Sequence, residues 1–332
     1  CDHLGWIVPN HALRRTAYQV AARTPGVTVI AGAQVGRVAA LPTHAELEYT
    51  PAGAAPDAAP QRLEAPLLVA ADSRFSAARR QLGIGASMTD FGRTVIVCRM
   101  RHDAPHHEVT HECFGYERTL AILPLPDDIV DGAQQCSVVV TANTADAQRL
   151  MAQDPETFAA EVAAQFQHRL GAMRLVGERH AYPLVAVYAH RFSGTRCALL
   201  GDAAVGMHPV TAHGYNLGLS GVEHLTRVLV DARAAGTDIG AAGVLERYAR
   251  AHHRHAFPIY QGTNAIVKLY TDPRPLPKLL RQAVIQGARR LPPLKAAIVG
   301  QLTGRGLAGA LRAPARSRET RSRSRPRLPG RV

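Results

Sequence analysis

No run of about 18 or more apolar residues occurs in the 332-residue chain, so a membrane-spanning helix is not expected. Cysteine is scarce: five residues, at 1, 98, 113, 136 and 197, odd in number and without a C-x-x-C pair. That pattern excludes a disulfide framework and a zinc knuckle, and makes a reducing, cytoplasmic setting the expectation. The chain begins at Cys1 rather than Met, with no basic segment leading into an apolar stretch. No signal peptide is read, and the true start is expected upstream. No internal repeat is seen.

What is present is ordinary for a soluble globular protein: 46% hydrophobic and 20% charged residues, with length enough for one large domain or two interlocked ones. The net charge of +13 is unevenly placed. Residues 312–332 hold eight Arg and one Glu, a net of +7, which leaves +6 over the other 311 residues. With almost no apolar content, this tail is predicted to be disordered. A basic tail can bind RNA or anionic lipid, but a solvated terminus accounts for it as simply, and no nucleic-acid partner is expected.

Helical spacing predicts a helix over 11–22, with Leu13, Ala17, Val20 and Ala21 on one face. Short β-type runs follow at 27–30, 34–39 and 46–50, then a Pro/Ala/Gly loop over 51–60. An apolar strand runs from Pro66 to Asp72, followed by a short arginine-bearing helix over 76–82. Between Thr94 and Thr141 the pattern alternates (TVIVCRM, VTHECFGY, TLAILPLP, CSVVVTA), as in an antiparallel sheet with one covered face. Asp154-Pro155-Glu156 opens a helix to about Leu170. Alternation returns over 182–189, and Cys197 to Asp202 reads as a buried strand. A helix is expected from about Asn216 to Ala234, and helices up to about Leu311. This order indicates an α/β core with a β-sheet domain inserted between two of its parts.

Two motifs carry chemistry. In GDAAVGMHPVTAHGYNLGL, Gly201 to Leu219, an apolar strand ends on Gly201-Asp202, a tight loop follows, and a glycine-punctuated segment opens a helix. Ligands of open α/β folds sit at the carboxyl ends of strands. A carboxylate there can accept hydrogen bonds from sugar-like hydroxyls. The free amides of a helix beginning near Gly214, Tyr215 and Asn216 would face an electron-rich ring. Pro209 stiffens the loop, and Gly214 and Gly218 permit close backbone approach. In VAADSRFSAARRQLGI, Val69 to Ile84, an acid at a strand end is followed by an arginine on the next turn.

The first motif resembles the GDAAH-x-x-x-P-x-x-G-Q-G-x-N pattern of flavoprotein hydroxylases of the p-hydroxybenzoate hydroxylase class. Its Met-His before the proline and Asn-Leu-Gly-Leu after it are similar to the ubiquinone-biosynthesis branch. The departures are Val205 for His, Ala212 for Gly and His213 for Gln. They are similar to a subgroup acting on 5-demethoxyubiquinol-type intermediates. The second motif resembles the family's G-A-D-G-x-x-S-x-x-R: Asp72, Ser76 and Arg79 match, while Ala70 and Ser73 replace glycines. LGWIVPNHALRRTAY at the start, Thr119 to Pro126 and GTNAIVKLYTD (Gly262 to Asp272) also resemble family segments, so the likeness extends over nearly all of 1–310.

The resemblance implies an FAD-binding Rossmann-like domain (1–85 and 194–235), an inserted antiparallel substrate sheet (86–193), a C-terminal helical region (236–311) and the basic tail (312–332). The family opens with a strand and G-x-G-x-x-G in a βαβ unit that grips the ADP half of FAD. The chain does not open that way, and is expected to lack this unit. The implied cofactor is FAD and the co-substrate NAD(P)H, with O2 forming a flavin C4a-hydroperoxide that hydroxylates a prenylated phenol or quinone precursor. Implied cofactor contacts are Asp72, Arg79, Gly201, Asp202, Pro209, Gly214, Tyr215 and Asn216. His208 and His213 flank the expected flavin position: they either assist proton movement or pack the loop. Substrate-side residues are expected on the strands around 119–125 and 182–188. Two rivals stand beside this: a non-catalytic truncated fragment, and a related flavoprotein with a soluble aromatic substrate.

Three further signals are set lower. His107-Glu108-Val109-Thr110-His111 fits H-E-x-x-H, but β-branched residues and the strand-like surroundings place its histidines more than ~12 Å apart along a strand, and no metal site is expected. His252, His253 and His255 read as a partly exposed helix face. The basic apolar stretch 274–311 fits either a helical cap or peripheral contact with anionic lipid on the inner face of the membrane, in keeping with a bilayer-borne substrate or a ubiquinone-synthesis complex.

Overall fold

The computed structural model describes residues 5–55, 57–115, 117–271 and 274; from Ile7 these belong to one compact unit, Ile7–Arg281. A helix, α1 (Asn10–Arg23), precedes a small antiparallel sheet of β1 (Gln34–Ala40), β2 (Ala45–Thr50) and β3 (Gln61–Ala65). Next come β4 (Leu68–Ala70) and the short α2 (Ala77–Gln81). The chain then crosses into β5 (Ala86–His102), β6 (His111–Phe114), β7 (Arg118–Leu125) and β8 (Gln135–Asn143). Two helices, α3 (Thr144–Ala152) and α4 (Pro155–Gln165), lead to β9 (Met173–Ala189). The return is through β10 (Ser193–Gly194), β11 (Cys197–Leu199), β12 (Val205–Gly206), α5 (Gly214–Ala234) and α6 (Ala242–Thr271).

Two sheets matter for function. β4 and β11 pair in parallel, with Ala70 opposite Leu199, and β10 lies antiparallel on the far side of β11. The larger sheet has six strands in the order β12-β9-β5-β8-β7-β6. Its strands β5 to β9 are inserted between β4 and β11, and β12 ties it back to the motif loop through Val205 opposite Tyr188.

The alternating sequence explains the larger sheet. Ile96, Cys98, Met100, Leu120, Ile122, Cys136, Val138, Val140 and Ala142 point to one face and are buried, as the period of two requires. Leu150 of α3 and Phe158, Ala159, Val162 and Ala163 of α4 cover that face. Asn143 caps α3 by accepting from the Asp146 amide, and Asp154 caps α4 by accepting from the amides of Glu156 and Thr157, which fixes where the helices begin. A second core lies between the small parallel sheet and α5 and α6, built on Ala198, Leu199, Leu217, Leu225, Leu245, Tyr248 and Ala256. The Tyr248 hydroxyl donates to the Leu199 carbonyl at 2.5 Å.

Several expectations are corrected. Val27–Ile30 is not a strand: the run follows a turn at Pro25-Gly26 and pairs with no described strand. Nothing on α1 is buried, its expected apolar face included. The strand expected at 182–189 starts at Met173; Gly177, at φ 73°, breaks the alternation that would have revealed its first half. The H-E-x-x-H segment is neither helix nor strand before His111, since His107 and Glu108 turn the chain at φ 49° and 57°. His252 is buried rather than partly exposed. Residues 272–311, Arg274 apart, and the 312–332 tail lie outside the described residues.

Candidate functional site

The parallel pair β4 and β11 ends, side by side, on the two sequence motifs. The Asp72 carboxylate accepts the Ser76 hydroxyl at 2.5 Å and the Ala78 amide at 3.1 Å, while Ser76 Oγ accepts the Arg79 amide at 2.9 Å. Burial alone would raise the Asp72 carboxyl; the Ser76 hydroxyl and nearby amides outweigh it and hold the group below its ordinary range. Arg79 is buried and donates to the carbonyls of Ala203 (2.8 Å) and Arg74 (3.2 Å). Its guanidinium therefore clasps one motif to the other inside the fold. Asp72 itself is exposed.

Arg74, a residue the sequence reading passed over, is the electrostatic partner of Asp202. Its Nε and Nη2 both donate to Asp202 Oδ2, at 3.1 and 2.7 Å, and its Nη1 to the Val185 carbonyl at 2.9 Å. Asp202 Oδ1 accepts no hydrogen bond among the described residues, on a side chain 36% exposed. The available signal was an arginine two places after the motif acid.

Around Asp202 the backbone is stripped of side chains. Gly201 adopts φ 56°. A Cβ on Gly206 would lie 3.2 Å from Arg74 Cβ and 3.6 Å from the Asp202 carboxylate, and one on Gly218 would lie 3.7 Å from the Gly201 Cα. The loop then runs through exposed Pro209 to Ala212 at φ 51°. His213 donates from Nδ1 to the Thr211 carbonyl at 2.6 Å, and Thr211 meets buried Thr263 of α6 hydroxyl to hydroxyl at 3.1 Å. α5 begins at Gly214 with no side-chain cap, and Tyr215 and Asn216 are exposed. Its first-turn amides are thus open to an electron-rich partner.

Beside this loop, a cavity of about 70 Å³ is lined by Phe91, Arg93, Phe114, Thr119, Thr141, His208 and Val267. It lies between the larger sheet, the motif loop and α6. The sequence placed substrate contacts at 119–125 and 182–188; of the residues there, Thr119 lines this cavity. The His208 ring meets Phe91 edge-on at 5.2 Å and its Nδ1 accepts the Val210 amide at 3.1 Å. Burial, and then the positive charge of Arg93, push its pKa down to about 4.

The model of a family described as FAD binding domain matches residues 7–262, which spans both motifs and the inserted sheet. The chain belongs to this family. Among relatives of the FAD-binding-domain protein, the ubiquinone hydroxylase UbiM of Neisseria meningitidis serogroup C / serotype 2a is 43% identical over 91% of this chain and 63% of its own length. The ubiquinone hydroxylase UbiL of Rhodospirillum rubrum is 34% identical over 88% of this chain and 65% of its own. The chain thus spans less than two thirds of either relative. Among solved structures, p-nitrophenol 4-monooxygenase PnpA from Pseudomonas putida DLL-E4 superposes with a TM-score of 0.69 at 18% identity, covering 90% of this chain and 73% of that one. At that identity the likeness is one of fold: an FAD-binding Rossmann-like α/β core carrying an inserted antiparallel sheet.

Proposed function

We propose that the FAD-binding-domain chain is the catalytic portion of an FAD-dependent monooxygenase that hydroxylates the ring of a prenylated ubiquinone precursor, using NAD(P)H and O2. The observation that carries this reading is the glycine-lined, uncapped approach from Gly201 to Asn216 opening beside a cavity walled by Phe91, Phe114 and Val267. Relatives named ubiquinone hydroxylases, 43% and 34% identical, support the substrate class.

The residues fit a flavin. Side chains are missing where a flat ring must approach the backbone, at Gly201, Gly214 and Gly218. The open first turn of α5 offers amides to the electron-rich edge of such a ring. Asp202 Oδ1 is left to accept from a ribityl hydroxyl, while Arg74 holds the other oxygen. In this reading Gly201, Asp202, Pro209, Gly214, Tyr215 and Asn216 hold the cofactor. Asp72 and Arg79 shape the adjoining turn, and 86–193 is the substrate half. Bound FAD supplies electron transfer and oxygen activation. The chain's own contribution is to orient the aromatic ring between the sheet and the loop, and to exclude water with Phe91, Phe114 and Val267.

A prenylated phenol partitions into lipid, so the proposal includes peripheral contact with the cytoplasmic face of a membrane, read by liposome co-sedimentation; no described helix is long and apolar enough to cross one. The deciding experiment is the visible spectrum of the purified chain after incubation with FAD and desalting. Retained flavin bands, and then oxygen-dependent hydroxylation of a prenylated phenol, are the expected results. A chain that retains flavin but hydroxylates only soluble phenols would place it among the related hydroxylases. No flavin on this chain, nor on one extended to the length of its relatives, would overturn the assignment.

A further inference from the structure

We propose that His208 is an obligate hydrogen-bond donor in the substrate cavity, presenting Nε2–H, with the Arg93 guanidinium, to an oxygen substituent on the aromatic ring. This rests on the hydroxylase reading and assigns a role within its cavity.

The argument is one of tautomers. His208 Nδ1 accepts the Val210 amide at 3.1 Å. A ring nitrogen that accepts carries no proton, so in the neutral ring the proton sits on Nε2. Burial and Arg93 keep that ring neutral far below pH 7. At working pH the free nitrogen of His208 is therefore a donor and cannot serve as a base. Nε2 makes no hydrogen bond among the described residues.

The other polar groups lining the cavity point to the same ligand chemistry. Among the described residues they are the Arg93 guanidinium and the hydroxyls of Thr119 and Thr141, with no carboxylate. Arg93 is steadied by donating from Nη1 to the Glu117 carbonyl at 2.9 Å. A ring amine or an added positive charge would meet donors and a cation. A phenol oxygen, a methoxy oxygen or a quinone carbonyl would be accepted, and a phenolate most strongly, since charged hydrogen bonds are about twice as strong as neutral ones. Phe91 and Phe114 supply the apolar walls an aromatic ring needs.

Two substitutions separate the nitrogens. His208→Gln places an amide N–H near the position of Nε2 and cannot reproduce the short cap to Val210. His208→Asn reproduces the Nδ1 acceptor and cannot reach the cavity. The probe is 4-nitrophenol, whose ionisation is visible by absorbance, titrated into the FAD-incubated full chain. The wild type is expected to bind it with its ionisation shifted toward phenolate, the proton passing to solvent. His208→Gln should keep the Kd within about threefold. His208→Asn and Arg93→Met should each weaken binding tenfold or more, about 1.4 kcal/mol, and lose the shift. The inference is overturned if His208→Asn binds like the wild type, or if Gln and Asn lose binding equally. A wild type that retains FAD and binds no nitrophenol sinks the donor role alone; no FAD on this chain, nor on one extended to the length of its relatives, sinks the hydroxylase reading with it.

Discussion

At the scale of single residues, the departures from the family pattern carry most information. Ser73 stands where the family motif has glycine, and its backbone sits at φ 143°; Ala212, also in place of glycine, sits at φ 51°. Side chains resist both conformations, and a residue in such a region stores roughly 1–3 kcal/mol. Ser73→Gly is therefore expected to stabilise the fold by about 1 kcal/mol, read as a higher urea midpoint at unchanged slope. A midpoint that falls instead would show that Ser73 holds its turn by contacts worth more than the strain. The sequence announced both sites as missing glycines, because turn chemistry is local. It hid Arg74, because an arginine two places from an acid is common, and its partnership with Asp202 spans 128 positions. It hid the burial of Arg79 for the same reason: the carbonyl of Ala203 that receives it lies on the other motif.

Between elements, the packing of α5 on α6 turns on Gly221. A Cβ there would lie 3.0 Å from His252 Nε2, so the glycine makes room for a ring only 1% exposed. That ring stacks on Tyr248 at 14°, sits 5.7 Å from His224, and its Nδ1 has no hydrogen-bond partner among the described residues, as is true of His224 Nδ1. Burial first, then His224 and His255, lower the His252 pKa to about 4, and burial lowers His224 likewise. Both rings fold neutral. The unfolded imidazole takes its proton near pH 6.5, so the contribution of these two rings to stability is constant above that value. It falls as the pH drops from there to about 4, by about 3 kcal/mol for His252 alone. Urea midpoints at pH 7.5, 5.5 and 4.5 should drop steeply for the wild type and less for His252→Gln; parallel slopes would remove His252 as the cause. This helix contact was only half legible. The spacing placed three histidines on one helix, but burial depends on which face α5 meets, and that is set by a glycine some thirty residues earlier. Strands were read more easily: in β5, β7 and β8 the most deeply buried residues of the covered face (Ile96, Met100, Leu120, Ile122, Val138, Val140) alternate with less buried ones, and the capping acid of α4 marks its own start.

For the whole molecule, the two cores predict an order of opening. The face of the larger sheet under α3 and α4 is built from strands paired over nine residues in β5 and β8, whereas α1 buries nothing. Amide exchange reports such differences directly, since segments with few buried contacts open at little cost. Exchange should be fastest in α1 and residues 24–33 and slowest in β5, β7 and β8. The motif loop belongs to neither extreme. It is pinned by the Arg79 and Thr211 contacts, yet its α5 amides are uncapped. FAD should therefore slow exchange locally, over residues 69–80 and 199–218, because those are the segments that meet where β4 and β11 end. Sheet β1–β3, on strands that form no part of that junction, should be unchanged within short labelling times. Protection appearing on β1–β3 instead would move the cofactor away from both motifs and leave the glycines of Gly201 to Gly218 to be explained by packing alone. Protection on the loop without any change at 69–80 would separate the two motifs, and assign the cofactor to the Asp202 side.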